Sequence, residues 1–402
     1  MKLVIPTNFS DDYFEKIDFS QTEEIYGKMN TDLIGGGRAA FTLPPVKEKQ
    51  VVQFVNETHK RGMKFNYLLN GTCFDNLEVT KKGYREIRKQ LDWISNMGVD
   101  VVTVSLPMLL EIVKKHYPNL SASVSIQVVI NNLERAKYWE GLGADKLNIS
   151  YVDLNKDFVE IRKIRKAVKC KIQTIANLIC MNRCPFVTLH ANYNAHTTQN
   201  GHCSNHFGLD YYLSNCATKL LSDPAEILKS AFIRPEDIHL YEEEGVDNMK
   251  LVERSMTTDH LSTIVKAYTN REYEGNMMNL IHGFSKYIIH KTGETLLQGK
   301  KYLFQPSQVN VFKLGGLLFE LMKLREKKEF NESFDLYIDN KKLDGFMDLF
   351  HSHKCPRNCD ACTYCNDFAD KAVSYLVPIE EHKVNMELFK RSKQVLINGD
   401  LF

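Results

Sequence analysis

The chain has 402 residues, a formal net charge of +2 and a hydrophobic fraction of 43%. This length fits one large domain and a smaller one, and the near-neutral charge lacks the strong basic excess of a dedicated nucleic-acid-binding protein. No stretch approaches about eighteen consecutive apolar residues, and the N-terminus lacks the length and cleavage site of a signal peptide. We therefore expect a cytoplasmic protein without membrane association, whose ten cysteines are thiols or metal ligands rather than disulfides.

The first two thirds of the chain alternate short β-rich segments with amphipathic helical patterns. Strands are predicted at residues 2–6, 24–28, 64–69, 99–105, 122–128, 145–150, 170–176 and 249–252. Helices are predicted at residues 46–60, 82–97, from Pro107 onward, 131–142, 155–168, 224–230, and from Thr257 or Thr258 to about Ala267. Such alternation implies a parallel sheet, and eight units over about 265 residues fit a closed (β/α)8 barrel. A doubly wound open sheet is the alternative, although no GxGxxG sequence follows the first strand.

Barrel active sites lie at the carboxyl ends of the strands, and polar side chains follow several predicted strands directly. These residues are Asn8, Tyr26, Asn70, Ser105, Gln127, Ser150, Asn177, Glu253 and Arg254. We expect Glu253, Arg254, Asn70 and Asn177 to form the catalytic, substrate-orienting group. An ion pair inside the barrel is the alternative role of Glu253 and Arg254. The glycine run 35–37, which precedes Arg38, either contacts an anion through backbone N–H groups or forms a plain turn.

A cysteine-rich insertion at residues 177–216 directly follows the seventh predicted strand. Its cysteines are Cys180, Cys184, Cys203 and Cys216. Thiolates that folding brings together bind soft metals, and four of them complete either a tetrahedral zinc site or an iron–sulfur cluster. A long lid with scattered cysteines and histidines is the structural alternative. Two further residues are candidate ligands: Cys73, just past a strand end, and His206, three residues after Cys203.

A mainly helical region is expected at residues 271–402, after the barrel of residues 1–270, and it carries a second cysteine group. The spacing C-x3-C-x2-C-x2-C is formed by Cys355, Cys359, Cys362 and Cys365. Thiols this close in sequence converge in a tight turn, and the spacing is typical of ferredoxin-type ligation, although zinc uses the same ligands. We expect a second iron–sulfur cluster or a zinc ion here. Helical patterns are predicted at residues 275–297, 309–327 and 367–376.

Several segments together resemble the family named peptidase U32. Residues 34–70, with a glycine–arginine turn before a helix and a strand that ends in Leu–Asn, are similar to its early part, and residues 121–150 to its middle part. Cys180, Cys184 and the Gly-His-Cys triplet at residues 201–203 match its cysteine signature. Residues 232–255 resemble the approach to its last barrel strand.

The resemblance implies a barrel that holds a [4Fe–4S] cluster on Cys180, Cys184, Cys203 and Cys216. Members of the family act in oxygen-independent hydroxylation of ubiquinone precursors, tRNA and ribosomal RNA, some of them in pairs. Older descriptions call them collagenase-like peptidases. This chain departs from the pattern, since Phe207 stands where a fourth cysteine is expected. Cys216 is taken as its substitute, with Cys73 and His206 as alternatives, and the C-terminal cysteine group is not a general family feature.

The favoured hypothesis is an iron–sulfur enzyme that hydroxylates or otherwise modifies a small molecule, an RNA or a peptide without using oxygen. The C-terminal group would relay electrons or hold a structural metal, and the expected partner is a second U32-like subunit or an electron donor. A peptide hydrolase and a non-catalytic, metal-carrying subunit are the alternatives. The sequence contains no G-x-S-x-G or H-E-x-x-H motif, and so offers no recognisable activated serine or zincin helix for peptide hydrolysis.

Overall fold

The computed structural model describes residues 1–281, 300–326 and 335–402, and its centre is a closed barrel of eight parallel strands. The strands are β1 (Lys2–Pro6), β2 (Thr22–Gly27), β3 (Lys64–Leu69), β4 (Val101–Val104), β5 (Ser121–Val124), β6 (Lys146–Asn148), β7 (Lys171–Ile175) and β8 (Asn248–Lys250). Each strand pairs with the next in sequence, and β8 pairs with β1 to close the barrel. The (β/α)8 prediction is confirmed, and no predicted strand end differs by more than four residues.

Helices alternate with the strands around the outside of the barrel. They are α1 (Tyr13–Lys16), α2 (Glu48–Lys60), α3 (Lys81–Asn96), α4 (Pro107–His116), α5 (Leu133–Gly141), α6 (Tyr151–Leu154), α7 (Phe158–Ala167), α8 (Val187–His196), α9 (Tyr211–Ser222), α10 (Pro224–Lys229), α11 (Ile238–Glu243) and α12 (Thr258–Asn270). The side chain of Thr257 caps α12 by accepting a hydrogen bond from the backbone N–H of His260. Pro107 is the first residue of α4, as predicted. The first N–H groups of a helix have no acceptor within the helix, so the N–H that proline lacks is not needed there.

The inside of the barrel holds a polar network instead of the branched apolar side chains that usually fill such barrels. Glu24 of β2 and Lys146 of β6 form a buried ion pair across the barrel. Asn66 donates a hydrogen bond to Glu24 at 3.1 Å, and Thr103 donates to Asn66 at 2.8 Å. An apolar layer separates this network from the carboxyl ends of the strands. Its members include Val4, Tyr26, Leu68, Ile175 and Val252.

The chain that follows β7 covers the carboxyl end of the barrel. The backbone oxygen of Thr198 accepts a hydrogen bond from Asp32 N–H at 3.1 Å, and its hydroxyl accepts one from Gly36 N–H at 2.9 Å. Gln199 donates to the backbone oxygen of Ile34 at 2.9 Å. These bonds tie the insertion to the loop after β2, so the cysteine-rich stretch lies over the barrel mouth.

The region after α12 packs against the helices that follow β7. Its elements are α13 (Val311–Glu326), β9 (Leu336–Ile338), α14 (Asp348–His351), α15 (Tyr364–Ala372), β10 (Val373–Tyr375) and α16 (Ile379–Ile397). Helix α16 lies against α9, and α15 lies against α10. The predicted mainly helical region is therefore present, with one small antiparallel sheet of β9 and β10.

The helix predicted at residues 367–376 is wrong at its C-terminal end. The helix ends at Ala372, and the three residues of β10 pair with β9. A β-branched and an aromatic residue suit a strand, and the distant partner strand overrides the helical pattern. The predicted patterns at residues 282–299 and 327–334 lie outside the described residues. Within the part of the chain that the structure describes, no helix is long and apolar enough to cross a membrane.

Candidate metal centre at the barrel mouth

The segment after β7 and helix α9 bring three cysteines together at the carboxyl end of the barrel. Cys180 and Cys184 follow β7, Cys216 lies on α9, and all three are partly buried. The thiols of Cys180 and Cys184 lie near enough to that of Cys216 to raise its pKa, although the three sulfur atoms do not all lie within 4.8 Å of one another. Burial raises the pKa of Cys180 to about 11, and it also raises the pKa values of Cys184 and Cys216. The free thiols are therefore protonated at neutral pH, and binding of a metal has to release their protons.

Tyr151, the first residue of α6, adds a hydroxyl group to this thiol site. Its oxygen lies 3.2 Å from Sγ of Cys180, and the ring is buried. Burial raises the pKa of the phenol well above its usual value, so the hydroxyl keeps its proton. Once Cys180 is a thiolate, Tyr151 is therefore the hydrogen-bond donor to the sulfur.

The fourth predicted ligand, Cys203, lies apart from the other three. It is exposed, and its Sγ lies 3.9 Å from Nε2 of His202. Among the described residues, no interaction joins Cys203 to Cys180, Cys184 or Cys216. The alternative ligand His206 lies with Nδ1 3.2 Å from the backbone oxygen of Thr197. Three of the four predicted cysteines thus lie in the same part of the barrel mouth, and their role as ligands stays a prediction.

Charged side chains lie beside the thiols. Glu253 is 2% exposed, forms an ion pair with Arg38 and accepts a hydrogen bond from the backbone N–H of Arg254 at 2.8 Å. Arg254 is 5% exposed, and no described residue accepts a hydrogen bond from its guanidinium group. Arg38 also interacts electrostatically with Cys180. Two arginines around one carboxylate leave an excess of positive charge, which favours an anionic group on a ligand.

Two amide oxygens at the mouth are buried and have no hydrogen-bond partner among the described residues. They are Oδ1 of Asn70 and Oε1 of Gln127. A buried polar atom without a partner costs about 1–3 kcal/mol, so a ligand that donates hydrogen bonds here would be stabilised. Gly36 and Gly37 lie against these amides, and a side chain at either glycine would press on them. The absence of side chains at the two glycines therefore keeps both amides in place.

The amide of Asn177, by contrast, is fully engaged within the protein. Its Nδ2 donates to the backbone oxygens of Val252 and Leu280, and its Oδ1 accepts from the N–H of Val252 at 2.8 Å. Asn177 therefore fixes the chain next to Glu253 and has no free N–H for a substrate.

Two of the three glycines in the run use their N–H groups inside the protein. The N–H of Gly35 donates to Asp32 at 2.8 Å, and the N–H of Gly36 donates to Thr198 at 2.9 Å. Gly35 has a φ of 75°, a conformation that favours glycine. Because these two N–H groups have partners, Gly35 and Gly36 do not offer them to an anion, which favours the plain-turn alternative.

The second cysteine group lines a cavity that is bordered by the segment between Cys180 and Cys184. Cys355, Cys359, Cys362 and Cys365 border a space of about 70 Å³ together with Asn182 and Arg183. Because these two residues lie between Cys180 and Cys184, one short segment separates the two thiol groups. Burial raises the pKa of Cys365 to about 11, and the nearby ammonium groups of Lys156 and Lys229 act in the opposite direction. Such cations favour the thiolate form that binds metals.

Lys250, at the end of β8, is expected to control how stability depends on pH. Its Nζ lies 3.9 Å from the ring centre of Tyr26, and burial lowers its pKa from 10.5 to about 7. Between these two values the unfolded chain binds more protons than the folded one, so the free energy of unfolding rises with pH. We expect Lys250→Met to flatten this rise in urea unfolding at pH 7 and 9, relative to the exposed control Lys82→Met. An equally steep rise in both variants would contradict the assignment.

Two site residues escaped prediction from the sequence. Tyr151 directly follows Ser150, which lies at the end of a predicted strand. A search one residue further past the strand end would have identified Tyr151 as a candidate site residue. Arg38 was noted only as part of a turn. Its partner Glu253 is 215 residues away, and no local pattern signals that pairing.

The model for peptidase family U32 matches residues 40–276, which is more than half of the chain and includes strands β3 to β8. The chain belongs to this family. An uncharacterized protease of Methanocaldococcus jannaschii is 26% identical to this U32 protein over 344 residues, 85% of this chain and 86% of that protein. The tRNA hydroxylation protein P of Escherichia coli is 23% identical over 151 residues, 38% of this chain and 32% of that protein. A solved U32 peptidase matches with a TM-score of 0.48 and 22% identity, over 63% of this chain and 93% of that one.

Proposed function

We propose that this U32 protein is an iron–sulfur enzyme that modifies its substrate at the barrel mouth by an oxygen-independent hydroxylation or a related reaction. The observation that carries this proposal is the position of Cys180, Cys184 and Cys216 near one another at the end of the barrel where active sites lie. The tRNA hydroxylation proteins among its relatives support the reaction class. The substrate is a small molecule, an RNA or a peptide.

The three thiols suit an iron–sulfur cluster better than a structural zinc ion. Structural zinc takes four protein ligands, whereas three thiolates hold a [4Fe–4S] cluster and leave one iron without a cysteine. When bound, the cluster supplies electron transfer and a Lewis-acidic iron. Cys180 and Cys184 pack against the apolar layer of the barrel, which keeps water away from the sulfurs. The hydroxyl of Tyr151 would donate to a ligand sulfur, a contact that tunes the reduction potential of such clusters.

The side chains at the mouth would bind and orient the substrate. Arg254, buried and without a hydrogen-bond partner for its guanidinium among the described residues, would bind an anionic group. The unpartnered amide oxygens of Asn70 and Gln127 would accept hydrogen bonds from the substrate. Arg38 holds Glu253 in place, so the carboxylate acts as a fixed negative charge beside the bound group.

The C-terminal cysteines would hold a second centre, iron–sulfur or zinc. A hydroxylation that takes its oxygen atom from water converts C–H into C–OH and releases two protons and two electrons, so a redox partner has to accept the electron pair. A second cluster beside Asn182 and Arg183 would lie next to the first. Cys359 is exposed, so a partner can approach this centre from solvent. We propose an electron carrier or a second U32 subunit as that partner.

A peptide hydrolase is the second candidate, because one relative is named a protease and because Cys203, His202 and Asp75 lie close together. However, Sγ of Cys203 and Oδ2 of Asp75 face the same imidazole nitrogen, Nε2, at 3.9 and 3.6 Å. In a catalytic triad the nucleophile and the carboxylate contact opposite nitrogens of the ring. This trio lacks that geometry, and we favour the iron–sulfur enzyme.

The test compares cells that lack the protein with cells that carry the wild type, Cys184→Ala or the control Cys170→Ala. Mass spectrometry of small molecules, RNA nucleosides and peptides is expected to reveal a product that is one oxygen atom heavier in the wild type and the control only. Identical products in all four strains would contradict a hydroxylation. Cleavage of a peptide by purified, iron-free protein would support the hydrolase instead.

A further inference from the structure

We infer that Cys73, Asp75 and His196 form a separate site for a divalent cation of the zinc type. The site would fasten the loop after β3 to the helix that covers the barrel mouth. Sγ of Cys73, a carboxylate oxygen of Asp75 and a ring nitrogen of His196 lie within 4.8 Å of one another. None of these three residues belongs to the three barrel thiols or to the C-terminal cysteine group, so the inference does not depend on the proposed function.

The spacing of these atoms leaves room for a shared ion. Sγ of Cys73 donates a long hydrogen bond to Oδ1 of Asp75 at 3.7 Å, and Nε2 of His196 lies 3.9 Å from the same oxygen. Hydrogen bonds between nitrogen and oxygen are about 2.7–3.2 Å long. Ligands that surround a tetrahedral zinc ion lie roughly 3.3–3.6 Å apart. A small inward movement of the side chains would therefore complete the site.

The ring of His202 stacks on that of His196 and supports it beside the carboxylate of Asp75. The ring centres are 4.2 Å apart and the planes differ by 11°, and the Nε2 atoms of His196 and His202 lie 3.9 and 3.6 Å from carboxylate oxygens of Asp75. Nε2 of His196 is buried and has no hydrogen-bond partner among the described residues. A buried acceptor of this kind next to a carboxylate needs a proton or a metal between them.

Ser204 holds His202 from the opposite edge of the ring. The backbone N–H of Ser204 donates to Nδ1 at 3.1 Å, and its hydroxyl lies 2.9 Å from the same atom. Nδ1 is therefore an acceptor, and the ring carries its hydrogen on Nε2, which faces Oδ2 of Asp75 at 3.6 Å. Hydrogen-bond donors of this kind orient carboxylates that bind metals.

The surroundings favour a cation that fastens two segments. Gln199 donates to the backbone oxygen of Cys73, and Thr72 donates to Asn192 of α8, so the loop and the helix are already in contact. A cavity of about 500 Å³ borders His196 and His202 and gives the ion a route from solvent. The exposed Cys203, 3.9 Å from Nε2 of His202, lies at the rim of the site as a further donor.

The chemical type of the ligand atoms determines which class of cation binds here. One thiolate, one carboxylate and one imidazole together are typical of zinc and of similar divalent transition metals. Calcium and magnesium prefer a shell of oxygen ligands alone, which these residues do not provide.

The test uses full-length protein with its iron–sulfur groups reconstituted, titrated with Co²⁺ as a spectroscopic substitute for zinc. The wild type is expected to bind one Co²⁺ with a thiolate-to-cobalt absorption band. Cys73→Ser should lose that band, and His196→Gln should bind at least about tenfold more weakly. The matched control His190→Gln, on the same helix but paired with Asp210 at 3.0 Å, should bind like the wild type.

Two further measurements keep the result interpretable. The iron content of Cys73→Ser and His196→Gln should equal that of the wild type, which separates this site from the barrel cluster. Limited proteolysis within residues 197–208 should slow when Zn²⁺ is added to the wild type but not to Cys73→Ser, whose partly exposed side chain is replaced by one of similar size. No Co²⁺ uptake by the wild type, or equal uptake by both variants, would overturn the inference.

Discussion

Simultaneous replacement of Cys180, Cys184 and Cys216 by alanine is expected to remove all iron from the barrel and to abolish activity, whereas Cys203→Ala should keep the barrel iron. The three thiols are partly buried and lie near one another, whereas Cys203 lies exposed beside His202. Loss of a complete [4Fe–4S] cluster removes about four iron atoms per chain, which is readily measured by colorimetric iron and sulfide analysis.

Comparing the iron content of Cys203→Ala with that of the triple variant shows which cysteines bind the barrel iron. Cys170→Ala serves as the control, because Cys170 lies beside Glu140 at the start of β7, away from the mouth. Full iron content in the triple variant would exclude these thiols as ligands. Loss of the barrel iron in Cys203→Ala would restore the ligand set of Cys180, Cys184, Cys203 and Cys216 that the sequence predicts.

The double substitution of Cys362 and Cys365 by serine is expected to remove the second metal centre while the barrel iron remains. All four C-terminal cysteines line one small cavity. A site of four thiolates needs every one of them, so the loss of two is expected to abolish metal binding there. If this centre is a cluster, the loss amounts to about four iron atoms, and if it is zinc, to one zinc ion. Metal analysis by plasma mass spectrometry distinguishes the two.

The same variant tests whether the second centre exchanges electrons with the first. Only Asn182 and Arg183, with Met181, separate Cys180 from Cys184, and the first two border the C-terminal cavity. We expect reduction of the barrel cluster by a redox protein or dye to slow at least about tenfold, because the path through the second centre is lost. An unchanged rate together with a loss of zinc would assign this centre a structural role.

Much of the fold followed from local patterns in the sequence. The strands at residues 2–6 and 64–69 have the predicted ends, because each is a short apolar run that turn-forming residues terminate. The cap of α12 at Thr257 also follows from chemistry within one turn of helix. Strand β10 was missed because its stability comes from pairing with β9, about 35 residues away, and the sequence of β10 alone continues the preceding helical pattern.

The candidate site was predictable only where its residues are close in sequence. Cys355, Cys359, Cys362 and Cys365 line one cavity, as eleven consecutive residues with four cysteines suggest. The long spacings before Cys203 and Cys216 contain no such information. Helix α8 and the loop beyond it carry Cys203 toward His202 and Asp75, whereas α9 returns Cys216 to the barrel thiols. The positions of Cys203 and Cys216 depend on how the insertion packs over the barrel mouth. The number of residues between two cysteines does not determine that packing.

The most direct test of the iron–sulfur assignment is the iron and acid-labile sulfide content of protein purified without oxygen, together with its electron paramagnetic resonance spectrum after reduction. We predict about eight iron atoms per chain if both cysteine groups hold [4Fe–4S] clusters, or about four if the C-terminal group binds zinc, and a cation at Cys73, Asp75 and His196 adds to the zinc content in both cases. Either result supports an iron–sulfur protein, and the cysteine variants then assign the iron to the barrel or to the C-terminal group. Protein that contains no iron, and takes up none on reconstitution with iron and sulfide, would contradict the account.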